Sequence, residues 1–223
     1  MAAPLLYTYR RCPYAMRSRM ALLVAGVVFD AFEVVLRDKP AAMLALSPKG
    51  TVPVLLLPDA VVLEQSWDIV QWALAAQDPQ GWWSRGQTEA NLNLLACNDG
   101  AFKHHLDRYK YPGRFGEPNM EEHRVRAVAA LLLPLETQLR HRAFLGGAEM
   151  CATDIALFPF LRQFAAVDPH WFAGQSLPAV QAWLSGCLAS SLFEACMFKL
   201  PSQTVTPFPP WAHRVGASSS GSG

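Results

Sequence analysis

Cys12, in the run R-C-P-Y-A, stands where a strand-like segment at 5–10 gives way to a helix that begins with Pro13. The orphan amides and dipole of a helix start favour negative charge, and a thiol placed there has a lowered pKa. Such a thiolate is a nucleophile, above all toward disulfides. Cysteine is also among the most buried residue types, so a small core side chain is the competing reading. The flanks Arg11, Pro13 and Tyr14 favour an exposed turn and a reactive sulfur. Arg10 and Arg11 could add positive potential near it, but read equally well as solvated surface residues and receive no catalytic role.

Two further runs could serve that sulfur. Val52-Pro53 sets a proline at the mouth of an apolar strand, where it removes one ladder donor without harming the strand interior. If the bond is cis, the Val52 backbone turns outward, and its N–H and C=O could clamp an extended thiol-containing peptide by β-type hydrogen bonds. An ordinary trans proline in a loop is the commoner alternative. Gln65-Ser66, at a strand-to-helix junction, offers an amide, a hydroxyl and helix-start N–H groups suited to a carboxylate; taken alone it is a plain helix cap. His104, His105 and His123 raise a metal reading, but neighbouring histidines on a helix point in different directions, so no metal site is expected.

The elements that would carry these residues can be read from the pattern. Segments 29–36, 52–57 and 61–64 read as strands, with Phe32, Val34 and Leu36 sharing a face of the first. Helices fit Pro13 to Val24, closed by Gly26, then Lys39 to Leu46, stopped by Ser47-Pro48 and Gly50, and Ser66 to about Ala76. The order is β-α-β-α-β-β-α. Beyond D-P-Q-G-W-W-S-R-G the spacing is helical, over about 87–110, 119–142, 152–166 and 177–197, with no convincing strand. Pro134 and Pro159 fall inside two of these stretches and should kink them. Trp82, Trp83, Trp171 and Trp183 read as core.

Composition narrows the function classes. The chain has 223 residues, and 19 basic against 18 acidic side chains leave no field to draw nucleic acid or anionic lipid. No apolar run approaches the roughly 18 residues that span a bilayer. With no leader pattern at the start, cytoplasmic residence is the default expectation. The cysteines number five, are widely spaced and form no C-x-x-C, which argues against a disulfide framework or a zinc cage. There is no repeat and no phosphate-binding glycine loop. The last eight residues, G-A-S-S-S-G-S-G, read as an appended flexible linker.

R-C-P-Y-A, S-P-K-G-T-V-P-V-L and L-E-Q-S-W-D-I-V, at these places along β-α-β-α-β-β-α, make the chain resemble the cytosolic glutathione transferase superfamily. The resemblance extends to C-A-T-D-I-A-L-F-P-F, similar to the family's helix-capping segment in its second domain. It implies a thioredoxin-like domain over 1–77, a linker over 78–86, an all-helical domain over 87–200 and a tail over 201–223. It also implies glutathione as co-substrate and a homodimer. Carried over by motif, Val52 pairs with the backbone of the glutathione cysteine, Gln65 and Ser66 hold its γ-glutamyl end, Lys39 contacts its glycyl carboxylate, Tyr14 lies in the same site, and Pro53 is the family's cis-proline.

A cysteine at position 12, where conjugating relatives place Tyr or Ser, resembles the bacterial, omega-like and glutaredoxin-like members. The implied activity is glutathione-dependent thiol transfer with Cys12 as nucleophile. Ala15 stands where a resolving cysteine would be, so the cycle is monothiol. Partners are then glutathione and a small electrophilic or disulfide substrate, with neither nucleic acid nor membrane. Conjugation of glutathione to electrophiles and a non-catalytic binding module are the alternative readings. Gln65 stands where many relatives carry Glu, and Cys151 replaces the Ser or Thr usual in the capping segment, which should weaken that cap.

Overall fold

The structure, a computed structural model, describes residues 2–209. The eight-residue linker inferred at the C-terminus lies outside the described residues. The described residues divide into two compact units, one made of 2–79 with 191–209 and the other of 80–190.

The first unit follows the expected order: β1 (Leu5–Thr8), α1 (Pro13–Val24), β2 (Phe29–Glu33), α2 (Ala41–Leu46), β3 (Val54–Leu56), β4 (Val62–Leu63) and α3 (Ser66–Ala76). Pro13 supplies a preset first helical position, and Gly26 closes α1 with φ 67° while Val27 N–H returns to the Leu22 carbonyl. β1 and β2 pair in parallel across α1, and β3 and β4 add an antiparallel hairpin on the other side of β1. The pleat sorts the side chains by face. Tyr7, Val34, Met43 and Val54 form one buried cluster with α2, with the Phe32 ring 5.4 Å from that of Tyr7. Thr8 meets the other face, where its hydroxyl accepts from the Arg19 guanidinium of α1. Leu36, expected on the Phe32 face of a longer strand, is exposed beyond the end of β2.

A fifth strand, β5 (Val205–Phe208), corrects the expectation of a tail over 201–223. It pairs antiparallel with β2 and completes the order β4-β3-β1-β2-β5. Pro207 disguises it in the sequence, because proline cannot donate to a ladder; at a sheet edge that loss is tolerated. Phe208 is fully buried with its ring 5.2 Å from Phe29. Phe208→Ala is expected to destabilise this unit by about 3 kcal/mol, the usual cost of emptying an aromatic core position. Urea unfolding followed by far-ultraviolet circular dichroism measures it. An unchanged midpoint would mean β5 adds nothing to the core.

The second unit is helical, and it begins inside the expected linker: α4 (Trp82–Gly86) is held by Arg85 donating to the Met150 carbonyl and by Thr153 Oγ1 donating to that of Gly86. Then come α5 (Glu89–Cys97), α6 (Lys103–Lys110), α7 (Pro112–Phe115), α8 (Met120–Ala127), α9 (Leu133–Leu139), α10 (Ala152–Ala165), α11 (Pro169–Ala173) and α12 (Pro178–Leu188). The stretches expected as single helices over 87–110 and 119–142 each contain a π-helical turn, at Asn98–Phe102 and Val128–Leu132. The second turn ends just before Pro134, so the widened π turn lies where the proline interrupts the α-helical ladder. Pro159 lies within the continuous, buried α10.

The stretch expected as one helix over 177–197 also divides. α12 ends at Leu188, and α13 (Ser191–Cys196) belongs to the first unit, packed on α1. There Arg19 Nε donates to the Cys196 carbonyl at 3.0 Å.

Candidate functional site

Cys12 is the N-cap of α1, extended at φ −75° and ψ 122°, and half-buried. Its position is fixed from both sides. Arg19, buried on α1, reaches back so that Nη2 donates to the Arg10 carbonyl at 2.8 Å, and the Arg10 N–H donates to Glu33 Oε1 at 2.8 Å. Burial raises the Glu33 carboxyl above its ordinary range, and the Arg10 amide draws it back. The Cys12 thiol donates to the Val52 carbonyl at 3.7 Å, across forty positions of sequence. The Val52–Pro53 bond is cis. The sulfur and the backbone of Val52 therefore occupy one place, at the start of a helix whose dipole favours a thiolate.

Gln65 is the exposed N-cap of α3, extended at φ −112°, and Ser66 is the first residue of that helix. The Ser66 hydroxyl accepts from Arg17 Nη1 at 3.3 Å. Arg17 is fully buried, with its guanidinium 5.6 Å from the centre of the Tyr14 ring and 6.0 Å from that of Trp67. A buried guanidinium and a helix start beside one hydroxyl make a setting for a carboxylate. Tyr14, Arg17, Ser66 and Trp67 thus form one cluster, of which sequence reasoning named only Tyr14 and Ser66. No local pattern marks Arg17, which shares the middle of α1 with Ser18 and Arg19.

Lys39 is exposed at the end of the connection into α2, and its ammonium lies beside Gly50, two residues before Val52. Sequence reasoning also missed Glu64. Its carboxylate accepts from Ser47 Oγ at 2.6 Å and pairs with Lys49 Nζ at 2.6 Å. Lys49 and Ser47 hold that carboxyl below its usual range. The pairing ties the loop that leads to Val52 to the residue that precedes Gln65. Arg11 is exposed, and Arg10 is held through its backbone N–H and carbonyl.

None of the five cysteines is disulfide-bonded. Cys151 is buried at the N-cap of α10, and burial, with the Asp154 charge, pushes its thiol up to about 12. The capping segment is nonetheless intact: Asp154 Oδ2 accepts from the Cys151 N–H at 2.8 Å, and Oδ1 accepts from Leu145 N at 2.9 Å and Trp183 Nε1 at 2.7 Å. The expected weakness from a cysteine cap is offset by these three donors on one carboxylate. The expectation that His104, His105 and His123 point apart is corrected, because their ligand nitrogens all lie within 4.8 Å of one another.

Residues 6–81 match the family model described as glutathione S-transferase, N-terminal domain, and residues 117–185 match glutathione S-transferase, C-terminal domain. A protein of Aplysia californica named "Probable glutathione transferase" is 43% identical over 47 residues, 21% of this chain and 51% of that protein. The chain thus spans about half the length of that curated relative. A Leishmania structure titled a unique trimeric glutathione transferase is 25% identical with a TM-score of 0.73, covering 88% of this chain and 46% of that one. A glutathione transferase family member from Pseudomonas fluorescens, with two glutathione bound, shares the fold at a TM-score of 0.73 and 18% identity, covering 87% and 92%. Two domain models in the right order, over a thioredoxin-like unit and a helical unit, place the chain in the cytosolic glutathione transferase superfamily.

Proposed function

We propose that the protein is a monothiol, glutathione-dependent thiol transferase of the bacterial, omega-like or glutaredoxin-like branch. The observation that carries the reading is the Cys12 thiol at the start of α1, 3.7 Å from the Val52 carbonyl. The glutathione moiety of a mixed disulfide lies extended along Val52, its γ-glutamyl end at Gln65 and Ser66 above the buried Arg17, its glycyl end toward Lys39, with Tyr14 completing the site. The Cys12 thiolate attacks the glutathione sulfur. A Cys12–glutathione disulfide forms as the old S–S bond breaks, and the departing thiolate takes a proton. The thiolate of a second glutathione attacks that sulfur, releases oxidised glutathione and restores the Cys12 thiolate. Net, one mixed disulfide and one glutathione yield one thiol and one oxidised glutathione.

Intact-protein mass spectrometry after exposure to oxidised glutathione tests this: one glutathionyl adduct on Cys12 is expected, reversed by reduced glutathione. No adduct at Cys12, with turnover of an electrophile intact, would transfer the assignment to conjugation. Absence of any glutathione binding in calorimetry would leave a binding module.

The pair of Glu64 with Lys49 braces the proposed site. Glu64→Ala is expected to raise the glutathione Kd about two- to fivefold, the range of a surface ion pair, with a fall of only a few degrees in melting temperature. Because the folded carboxyl is depressed, the brace is complete above the ordinary glutamate value of 4.5 and is lost only as the pH falls through the lower folded value. Calorimetric titration at pH 7 decides; an unchanged Kd would remove Glu64 from the site.

No helix among the described residues is long and apolar enough to cross a membrane. Cytoplasmic residence and a homodimer are part of the proposal. The Leishmania relative is described as trimeric, so light scattering has two outcomes to separate.

A further inference from the structure

We propose that His104, His105 and His123 form a binding site for a divalent transition metal on the helical unit, with zinc as its natural occupant. The ligand nitrogens of the three residues lie within 4.8 Å of one another. His105 and His123 approach most closely, with their Nδ1 atoms 2.8 Å apart, and the His104 ring meets that of His105 edge-on at 4.9 Å between centres. The site spans two packed helices, α6 and α8, so it depends on tertiary structure rather than on a contiguous motif.

The hydrogen bonds around the cluster set its chemistry. Glu117 Oε2 lies 3.3 Å from His123 Nε2. A carboxylate only accepts, so Nε2 carries the hydrogen, and in the neutral imidazole Nδ1 keeps its lone pair, aimed at His105. An imidazole that donates one N–H to a carboxylate and offers the other nitrogen is the usual form of a metal-ligating histidine. In the metal-free pair, His105 Nδ1–H is the donor to that lone pair. A metal entering between the rings displaces this hydrogen, which moves to His105 Nε2 through solvent, so two neutral imidazoles become two ligands without net proton release. Two nitrogens on a tetrahedral zinc stand about 3.4 Å apart, given Zn–N bonds of about 2.05 Å. The close pair must therefore open slightly, and His104, which is exposed, must swing inward. A fourth position remains for solvent.

The nearby cations do not forbid this. Arg108 is paired with Glu117 at 2.8 Å, and Arg126 with Glu122. Arg108 Nη1 also donates to His104 Nδ1 at 3.0 Å, the contact that metal binding would exchange. Each of these two guanidinium groups has a carboxylate partner, and Glu117 serves both Arg108 and His123. Imidazole nitrogens suit zinc, copper and nickel over calcium or magnesium.

Titration of the full chain with zinc against a chromophoric chelator tests the proposal, with Cys12→Ser as a parallel sample. One zinc per chain is expected in both. The imidazole C–H resonances of His104, His105 and His123 should shift while those of His141 and His170 stay. His104→Ala, at an exposed position, and His123→Ala should each weaken binding about tenfold or more. Glu117→Gln, which keeps the hydrogen bond and loses the charge, should weaken it by about ten- to a hundredfold, as for other carboxylates that orient a ligating histidine. Should His123→Ala misfold by circular dichroism, His104→Ala decides. Zinc binding that survives a folded histidine variant unchanged, that disappears with Cys12→Ser, or that is absent altogether would overturn the site.

Discussion

Cys12→Ser is expected to lower the rate of reduction of a small glutathione mixed disulfide by at least about two orders of magnitude, to the uncatalysed background, while glutathione binds within about twofold of the parent. The split follows from the geometry. The sulfur is the group that would exchange, and a serine hydroxyl remains protonated and does not attack a disulfide. The groups proposed to hold glutathione are elsewhere: the Val52 backbone, Gln65 and Ser66 at the start of α3, and the buried Arg17 behind Ser66. Stopped-flow or coupled assays give the rate, and calorimetry gives the affinity. A variant that keeps disulfide reduction would exclude Cys12 as nucleophile. A variant that loses only that reaction and still joins glutathione to an aryl halide would show that one site serves both chemistries.

Asp154→Ala is expected to destabilise the helical unit by about 3–5 kcal/mol, and Asp154→Asn by about 2–3 kcal/mol. The carboxylate is fully buried and accepts from Cys151 N, Leu145 N and Trp183 Nε1, so alanine strands three buried donors. Asparagine can still accept from Leu145 and Trp183 through one oxygen, but its amide then turns donors toward the Cys151 N–H. Burial holds the Asp154 carboxyl above its ordinary range, a cost that both variants relieve; asparagine loses less than alanine because it keeps an oxygen for two of the three donors. A loss of 3–5 kcal/mol corresponds to a fall in melting temperature of roughly 6–20 °C for a chain of this size. Thermal melts by circular dichroism, with Trp183 fluorescence as a local probe, measure it. A shift of a degree or two would mean that the capping segment can relax around the loss.

Local physics made the thioredoxin-like unit legible. Segment 29–35 shows aromatic Phe29 and Phe32 followed by β-branched Val34 and Val35, α1 shows its Pro13 start and Gly26 stop, and Ser66 begins α3 where the residue types require it. The candidate site was legible for the same reason: Cys12, Val52-Pro53 and Gln65-Ser66 each announce a helix start or strand mouth. The approach of Cys12 to Val52 was not, because that 3.7 Å contact spans forty residues and follows from the pairing of β1 with β3. Arg17 and Glu64 escaped because a buried arginine and an acidic residue after a strand carry no local signature; only packing reveals what they touch.

The C-terminal segment and the histidines went further from expectation. β5 is hidden by Pro207, and α13 reads as the end of α12, since a short amphipathic stretch does not say which surface it will cover. Helical periodicity predicts that adjacent side chains diverge by about 100°, yet the partner that gathers His104 and His105, His123, comes from another helix. Sequence by itself determined the family, the order of elements from β1 to α3 and the residue types that could do chemistry, because those rest on short-range patterning. Tertiary structure alone decided which groups share a site, because long-range pairing and burial, not neighbouring residues, set those distances.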